Sequence, residues 1–352
     1  IVVLTQYKSH SLDRHISMTW RFSTLLGDYV TPVPAQMRRG PYWFQGSADA
    51  IYQNLNLIND EKPDIVCVFG ADHIYRMDPR QMVDEHRANN AGVTVAAIPV
   101  PKREAVDFGV IESDADGKII AFHEKSANPP TMPGNDEMCL ASMGNYVFDR
   151  EALIDIVTPK DGEMNDLGGD VIPALTAAGQ ARVYDFSKND VPGQDERERG
   201  YWRDVGTLDA FYDANMDLIA PVPVFNLYND KWPVFTGRQA LPPAKVSRGR
   251  GGEPAFVDGS LICQGSIVSG GHVENSIIGP GSFVDHDAHV TDSILFPGVT
   301  IGPGARLHRC IVDKNVNVPE FARIGFDAEH DAKQFTISDN GIVVIAKDQK
   351  IK

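Results

Sequence analysis

The sequence predicts two architectures in series, an α/β sheet domain and then a parallel β-helix. Three observations predict them. Strand-like and helical runs alternate between residues 66 and 219, which argues for a helix-covered and mostly parallel sheet. Aliphatic residues in the last third recur at a fixed spacing of 17, a period that marks stacked coils. Short polar motifs close several of the apolar runs in the first part, where open α/β sheets place their ligands. The 352 residues suffice for about two domains of the usual ~100–200 residues each.

The elements of the first part follow one another clearly. Val66–Gly70 reads as a strand, Asp78–Asn90 as a helix and Val93–Val100 as a strand. Lys118–Glu124 and Ala141–Asp149 are further strands. Glu151–Val157 and Val171–Ala178 read as helices, Val183–Phe186 as a strand and Thr207–Ile219 as a helix. Before them, Ile1-Val2-Val3-Leu4-Thr5 reads as a buried strand. A chain rarely starts in mid-core, so this reading expects residues ahead of Ile1.

In the last third, Leu261, Ile278, Leu295 and Val312 stand 17 apart, as do Ile267, Val284, Ile301 and Val318, and Val273, Val290, Leu307 and Ile324. All twelve are aliphatic. The steps within a unit are 6, 6 and 5, which describes a three-sided coil with one short corner, and runs such as Gly279-Pro280-Gly281 fill the corners. This is a hexapeptide β-helix. A solenoid alone names no function. His272, His286, His289 and His308 could be general bases of an acyltransferase, or solvated corner and strand residues. No acidic–histidine pair is legible there at a spacing that suits a base and its orienter. The β-branched run at Gly341–Ala346 suits an added strand, at the solenoid end or on a neighbouring subunit.

Composition excludes several classes. The net charge of −15 argues against nucleic-acid and anionic-membrane surfaces. No apolar stretch approaches the ~20 residues of a membrane span, and no signal peptide is legible. The four cysteines form no CxxC pair and read as free thiols of a reducing cytoplasm.

Four motifs carry candidate chemistry. In Val66-Cys67-Val68-Phe69-Gly70-Ala71-Asp72-His73, a strand ends in a glycine and then a carboxylate that could hold Mg²⁺ against a phosphate, or could cap the next segment. In Tyr201-Trp202-Arg203-Asp204-Val205-Gly206-Thr207, Asp204 offers a second carboxylate, or another cap. In Ile119-Ile120-Ala121-Phe122-His123-Glu124-Lys125, a strand delivers an acid and a base to its end: Glu124 for sugar hydroxyls and Lys125 for a phosphate, or both simply solvated. Pro34-Ala35-Gln36 and Trp43–Ala50 place a glycine loop before a helix through Tyr52–Ile58, whose free N–H groups could meet a ligand.

In this order the motifs resemble the sugar-nucleotide pyrophosphorylase family, and most closely its bacterial ADP-glucose pyrophosphorylase branch. The stretches that carry the resemblance are TQYKSHSLDRHI (5–16), PVPAQ (32–36), GSADA (46–50), FGADHIYRMD (69–78), FGVI (108–111), LASMGNYVF (140–148) and YWRDVGTLDAFYDANMDL (201–218). The linker FNLYNDKWPVFT…LPPAK (225–245) and the tail DAEHDAKQFTISDNGIVVI (327–345) fit it too. The resemblance implies a Rossmann-like nucleotidyltransferase sheet over 1–220, incomplete at its N-terminus, a linker over 221–255, and a left-handed β-helix with a C-terminal strand over 256–352. It further implies that Asp72 and Asp204 hold a catalytic Mg²⁺ and that Lys125 grips the phosphate of glucose 1-phosphate. Glu124, Gly109 and Ser142 would line the glucose, and Gln36, Gly46 and Ser47 the nucleotide base. The family's Gly-rich phosphate loop, with its Arg and the Lys that follows, is not found within 1–352. Phe44 stands where a Tyr is common, and Ser126 where a Pro often follows the Glu-Lys pair.

The implied reaction joins ATP and glucose 1-phosphate into ADP-glucose and pyrophosphate, in a cytoplasmic homotetramer under sugar-phosphate or nucleotide effectors, with no nucleic acid and no membrane as partner. A pyrophosphorylase for another nucleotide, a non-catalytic regulatory subunit and a β-helix acyltransferase are the alternatives.

Overall fold

The computed structural model describes residues 1–351, apart from 24, 26, 39, 133, 159–163 and 238. These residues divide into two compact units. The first comprises 1–71, 76–202 and 230–238, and the second 72–75, 203–229 and 239–352.

The first unit is built on one mixed sheet. Its strands are β3 (Ile65–Phe69), β5 (Val93–Pro101), β6 (Gly109–Ser113), β7 (Ile119–Glu124), β8 (Met138–Asp149) and β9 (Ala181–Asp185). Separate short strands β1 (Val2–Thr5) and β2 (Thr31–Pro34) pair parallel with each other, and β4 (His73–Tyr75) pairs with β10 (Trp202–Asp204). The main order is β7-β6-β8-β5-β9, with β3 also on β8. β8 runs antiparallel to β3, β5 and β6, and β6 antiparallel to β7; among the described residues of this sheet only β5 and β9 pair parallel. The mostly parallel sheet expected from the alternation is therefore corrected. Alternation reports which residues are apolar, not strand direction, and the tight Asp114–Gly117 turn makes β6–β7 a hairpin.

Local chemistry sets the helices. Those before the solenoid are, among the described residues, α1 (His10–Thr19), α2 (Ser47–Gln53), α3 (Leu55–Glu61), α4 (Pro79–Asn89), α5 (Arg150–Val157), α6 (Ile172–Ala177) and α7 (Leu208–Met216). Asp78 caps α4 by accepting from the Arg80 N–H at 3.0 Å, Pro79 takes the first turn, and Asn90 closes the helix in a left-handed conformation. Asp149 caps α5 in the same way. The helix expected through Tyr52–Ile58 is instead broken at Asn54, whose side-chain amide donates to the Ala50 carbonyl at 2.8 Å. That local bond competes with the helical ladder. Val93, Val95, Phe148, Leu153, Ile172 and Leu175 form the core between sheet and helices. Each such burial contributes about 1.5–3 kcal/mol. At the start of the chain β1 is a strand, but Ile1 is 78% exposed and Val2–Leu4 are only half-buried, against the buried strand expected.

The second unit is dominated by the parallel β-helix. Val273, Val290, Leu307 and Ile324 stack in register as expected, all buried. The first coil departs from the 17-residue spacing. Ile262, not Leu261, aligns with Ile278, and Val268, not Ile267, aligns with Val284. The corner at Gly270-Gly271 is one residue shorter than its counterpart His286-Asp287-Ala288, so the inward position shifts by one. Lys245–Ser247 adds a strand beside Ile267–Ser269. The run near Gly341–Ala346 adds its strand, Val343–Ile345, to Cys310–Val312 of the same chain.

The outer faces differ from expectation in their histidines. His272 lies 3.2 Å from Glu274, His286 2.9 Å from Asp285 and His308 3.4 Å from Asp292. Acid–histidine pairs are thus present where none was legible. The His308–Asp292 pair spans two coils and becomes adjacent only through the register.

Candidate active site

Two groups of side chains emerge, one in each unit. In the second unit, pairing of β4 with β10 brings Asp72 and Asp204 together. The Val205 N–H donates to the Asp72 carbonyl at 2.9 Å, which fixes the two segments at backbone level. His73 lies between them electrically. Burial lowers the pKa of its imidazole, while the charges of Asp72 and then Asp204 raise it. Its Nε2 is 3.2 Å from Asp72 Oδ1; the His73 side chain is 6% exposed and that of Asp72 73%. An enclosed imidazole, its pKa lowered by burial, therefore walls a carboxylate that faces solvent.

The capping alternatives are testable here. Thr207, not Asp204, caps α7, its Oγ1 accepting from the Ala210 N–H at 3.1 Å. Asp204 accepts from the Gly206 N–H at 3.2 Å through one oxygen, a local turn bond that leaves the carboxylate with further lone pairs. Two aspartates are hard oxygen donors of the kind Mg²⁺ takes, since that ion usually uses one or two carboxylates and draws its other ligands from water and phosphate. Among the described residues no group of three or more His, Cys, Asp or Glu could hold a metal on its own. The pair thus fits a cation shared with a phosphorylated substrate.

In the first unit the β6–β7 hairpin places Gly109 directly opposite Glu124. A Cβ on Gly109 would lie 2.4 Å from the Phe122 ring and 2.9 Å from Glu124 Oε2, so no larger residue fits without displacing the carboxylate. The same oxygen is 3.1 Å from where a Cβ of Gly168 would be. Loss of water around the Glu124 carboxyl raises its pKa, as does the Asp166 charge, while Lys125 lowers it. Lys125 follows in a left-handed conformation (φ 46°) and is held by its N–H to the Phe108 carbonyl at 3.1 Å. Ser142 on β8 is 8% exposed and accepts from the Gly144 N–H at 3.3 Å. Tyr146 is pushed up to about 12, first by burial, with Asp166 and Glu124 adding to the shift and a hydrogen bond with Ser142 opposing it. Glu124, Lys125, Ser142, Tyr146 and Asp166 thus form one neighbourhood.

The glycine loop joins this neighbourhood structurally. Ser47 donates to Asp166 Oδ1 at 2.8 Å and accepts from the Leu167 N–H at 2.8 Å. Gly46 lies so close to the Asn165 carbonyl that a Cβ would stand 2.2 Å away. Both residues therefore splice the start of α2 onto 165–167. Gln36 stands apart, exposed, with its Oε1 accepting from Arg38 at 3.2 Å.

Sequence reasoning missed His73, Tyr146 and Asp166 as members. His73 and Tyr146 lie inside quoted motifs, and Asp166-Leu167-Gly168-Gly169 carries an acid before two glycines, the one signal that could have singled it out.

The family described as Nucleotidyl transferase matches residues 1–220, and that described as GlmU-like, C-terminal hexapeptide, matches 242–345. The glucose-1-phosphate adenylyltransferase of Corynebacterium jeikeium is 53% identical over 352 residues, 99% of this chain and 86% of the relative. That of Frankia casuarinae is 53% identical over 99% of this chain and 85% of the relative. That of Anaeromyxobacter sp. is 50% identical over 99% and 87%. Identity of this order along nearly the whole length, with both family matches in the expected order, has one consequence: the chain belongs to the glucose-1-phosphate adenylyltransferase family of nucleotidyltransferases.

Proposed function

We propose that the protein transfers AMP from ATP to glucose 1-phosphate, releasing pyrophosphate and forming ADP-glucose. The observation that carries this reading is the juxtaposition of Asp72 and Asp204 by β4 and β10 in a chain whose relatives at 50–53% identity bear the adenylyltransferase name.

A phosphate oxygen of glucose 1-phosphate attacks the α-phosphorus of ATP. The new bond joins that oxygen to the α-phosphorus, and the bond to the bridging oxygen of the leaving pyrophosphate breaks. The protein needs no nucleophile of its own, so its contribution is positioning and charge neutralisation. Asp72 and Asp204 would hold Mg²⁺, which when bound supplies positive charge to the phosphates. Lys125 neutralises and orients the sugar phosphate. Glu124 accepts from glucose hydroxyls, its carboxylate set by Gly109 and Gly168. Ser142 borders the sugar. Gln36, Gly46 and Ser47 serve the nucleotide side, the last two by fixing the start of α2. The family resemblance supports a homotetramer under sugar-phosphate or nucleotide effectors, and four cysteines free of disulfides suit a cytoplasmic setting.

Pyrophosphate release measured in parallel with ATP, UTP, GTP and dTTP, with glucose 1-phosphate and Mg²⁺, tests the reading. ATP is expected to be clearly preferred. Preference for any other nucleotide overturns the assignment.

A further inference from the structure

Asp204 stands four residues before the helix α7, and α7 rests on the solenoid. Ile277, Ile294, Ile311 and Val344 lie in register on one solenoid sheet and form a row of their own. Tyr212 of α7 is buried with Ile294, Ile311 and Ile342, and Phe211 and Met216 pack on the same group. Hydrophobic contact of this kind is non-directional: it holds the helix to the face without fixing its rotation or its slide. Two polar ties supply direction. The Tyr212 hydroxyl donates to the Asp292 carbonyl at 2.6 Å, and the Arg309 guanidinium sits 5.5 Å from the Tyr212 ring centre. At the other tie Asp209, in the first turn of α7, accepts from the Ser338 hydroxyl and, at 3.4 Å, from the Asn340 N–H.

Ser338 is itself locked. Its oxygen accepts from the Ile342 N–H at 3.0 Å, and its carbonyl accepts from the Gly341 N–H at 3.0 Å, closing a turn that Gly341 completes at φ 79°. That turn joins the strands Thr336–Ile337 and Val343–Ile345, the second of which continues the solenoid sheet. One hydroxyl therefore links the last hairpin of the chain to the first turn of the helix that follows Asp204. A hydrogen bond to a charged acceptor is among the stronger single ties a fold offers.

We propose that the carboxyl-terminal hairpin is a positioning element for the Asp204 carboxylate, and that Ser338 is its positioning residue, acting through Asp209. The proposal rests on the reading that Asp204 serves the cation. It gives the hairpin over Thr336–Ile337 and Val343–Ile345 a part in setting the carboxylate without any contact with substrate.

The test uses the full chain with Ser338→Ala, Ser338→Thr and Asp209→Ala. Hydrogen–deuterium exchange over residues 203–212 is followed in the ligand-free protein, and the half-saturating Mg²⁺ concentration and the KM for glucose 1-phosphate in turnover. With Ser338→Ala, exchange is expected to quicken about tenfold and the Mg²⁺ requirement to rise about threefold, while the sugar-phosphate KM stays constant. Ser338→Thr, which keeps the hydroxyl, is expected to restore both, and Asp209→Ala, which leaves the hairpin sequence untouched, to reproduce the defect. Wild-type exchange in both Ser338→Ala and Asp209→Ala overturns the proposal, as does an equal rise in the Mg²⁺ requirement and in the sugar-phosphate KM. Exchange needs no turnover, so an unmodified protein that fails to use ATP would sink the functional reading separately.

Discussion

In the solenoid, each inward residue meets its counterpart one coil away, as Val290 meets Leu307 and Leu295 meets Val312. In the first unit, β8 gathers distant strands: Tyr146 lies opposite Val68 on one side and Val95 on the other. The first arrangement is quasi-one-dimensional, and damage in it stays with nearest neighbours. The second is cooperative, and the residues proposed for its site inherit their positions from pairings far apart in the chain. Asp72 and Asp204 add a third case, in which two short strands bring together residues 132 positions apart and attach them to the unit that carries the solenoid.

The largest effect should come from Asp72→Asn and Asp204→Asn. Each removes one ligand charge from the pair of carboxylates that the β4–β10 pairing brings together. Turnover at limiting Mg²⁺ is expected to fall at least about a hundredfold, in line with the loss of an electrostatic catalytic group, while circular dichroism stays unchanged. Near-normal activity in either variant would make that aspartate merely structural.

Next, Leu307→Ala strikes the local architecture. Leu307 is fully buried in the column, so the substitution should cost about 2–5 kcal/mol in urea unfolding. The KM for glucose 1-phosphate should not move, because the residues proposed to bind it lie in the other unit. A large rise in that KM would break the distinction drawn between the regions.

A smaller effect is expected on pH dependence. Enclosure and the Asp166 charge raise the Glu124 pKa, so the carboxyl stays protonated to higher pH than an ordinary glutamate. As pH falls through that raised value, the ionised acceptor is lost and kcat/KM for glucose 1-phosphate should drop. Glu124→Gln should lower the plateau and flatten this acidic limb. Stability carries the opposite sign: the folded state holds the proton more tightly, so this group's contribution is present at low pH and fades as pH rises through its folded pKa. An acidic limb unchanged in Glu124→Gln would assign it to another group.

The two regions also differ in how much of them was legible. The solenoid repeats its own evidence, so three columns exposed its geometry, and the error was confined to Leu261 and Ile267, where a short glycine corner slips the phase by one. The outward row beneath α7 escaped notice because Ile277, Ile294 and Ile311 read as partners of the inward residues beside them. In the sheet domain the strands were legible as apolar runs, but their directions were not, since β8 reverses without a local mark. The candidate site was legible as a pattern where a motif ends a strand, as at Asp72, Asp204 and Glu124. It was not legible where a partner arrives from elsewhere: Asp166 reaches Ser47 across 119 residues, and nothing in the spacing of either announces the other.

We assign the cation ligands and the sugar-phosphate grip to separate groups, one carried by each unit. The affinity for glucose 1-phosphate, measured by calorimetry in Asp204→Asn and Lys125→Ala side by side, tests this assignment most directly. Asp204→Asn should bind within about twofold of the unmodified protein, and Lys125→Ala about 10- to 150-fold more weakly, the worth of a lost charge-assisted hydrogen bond. Equal losses in both, or a loss confined to Asp204→Asn, would contradict it.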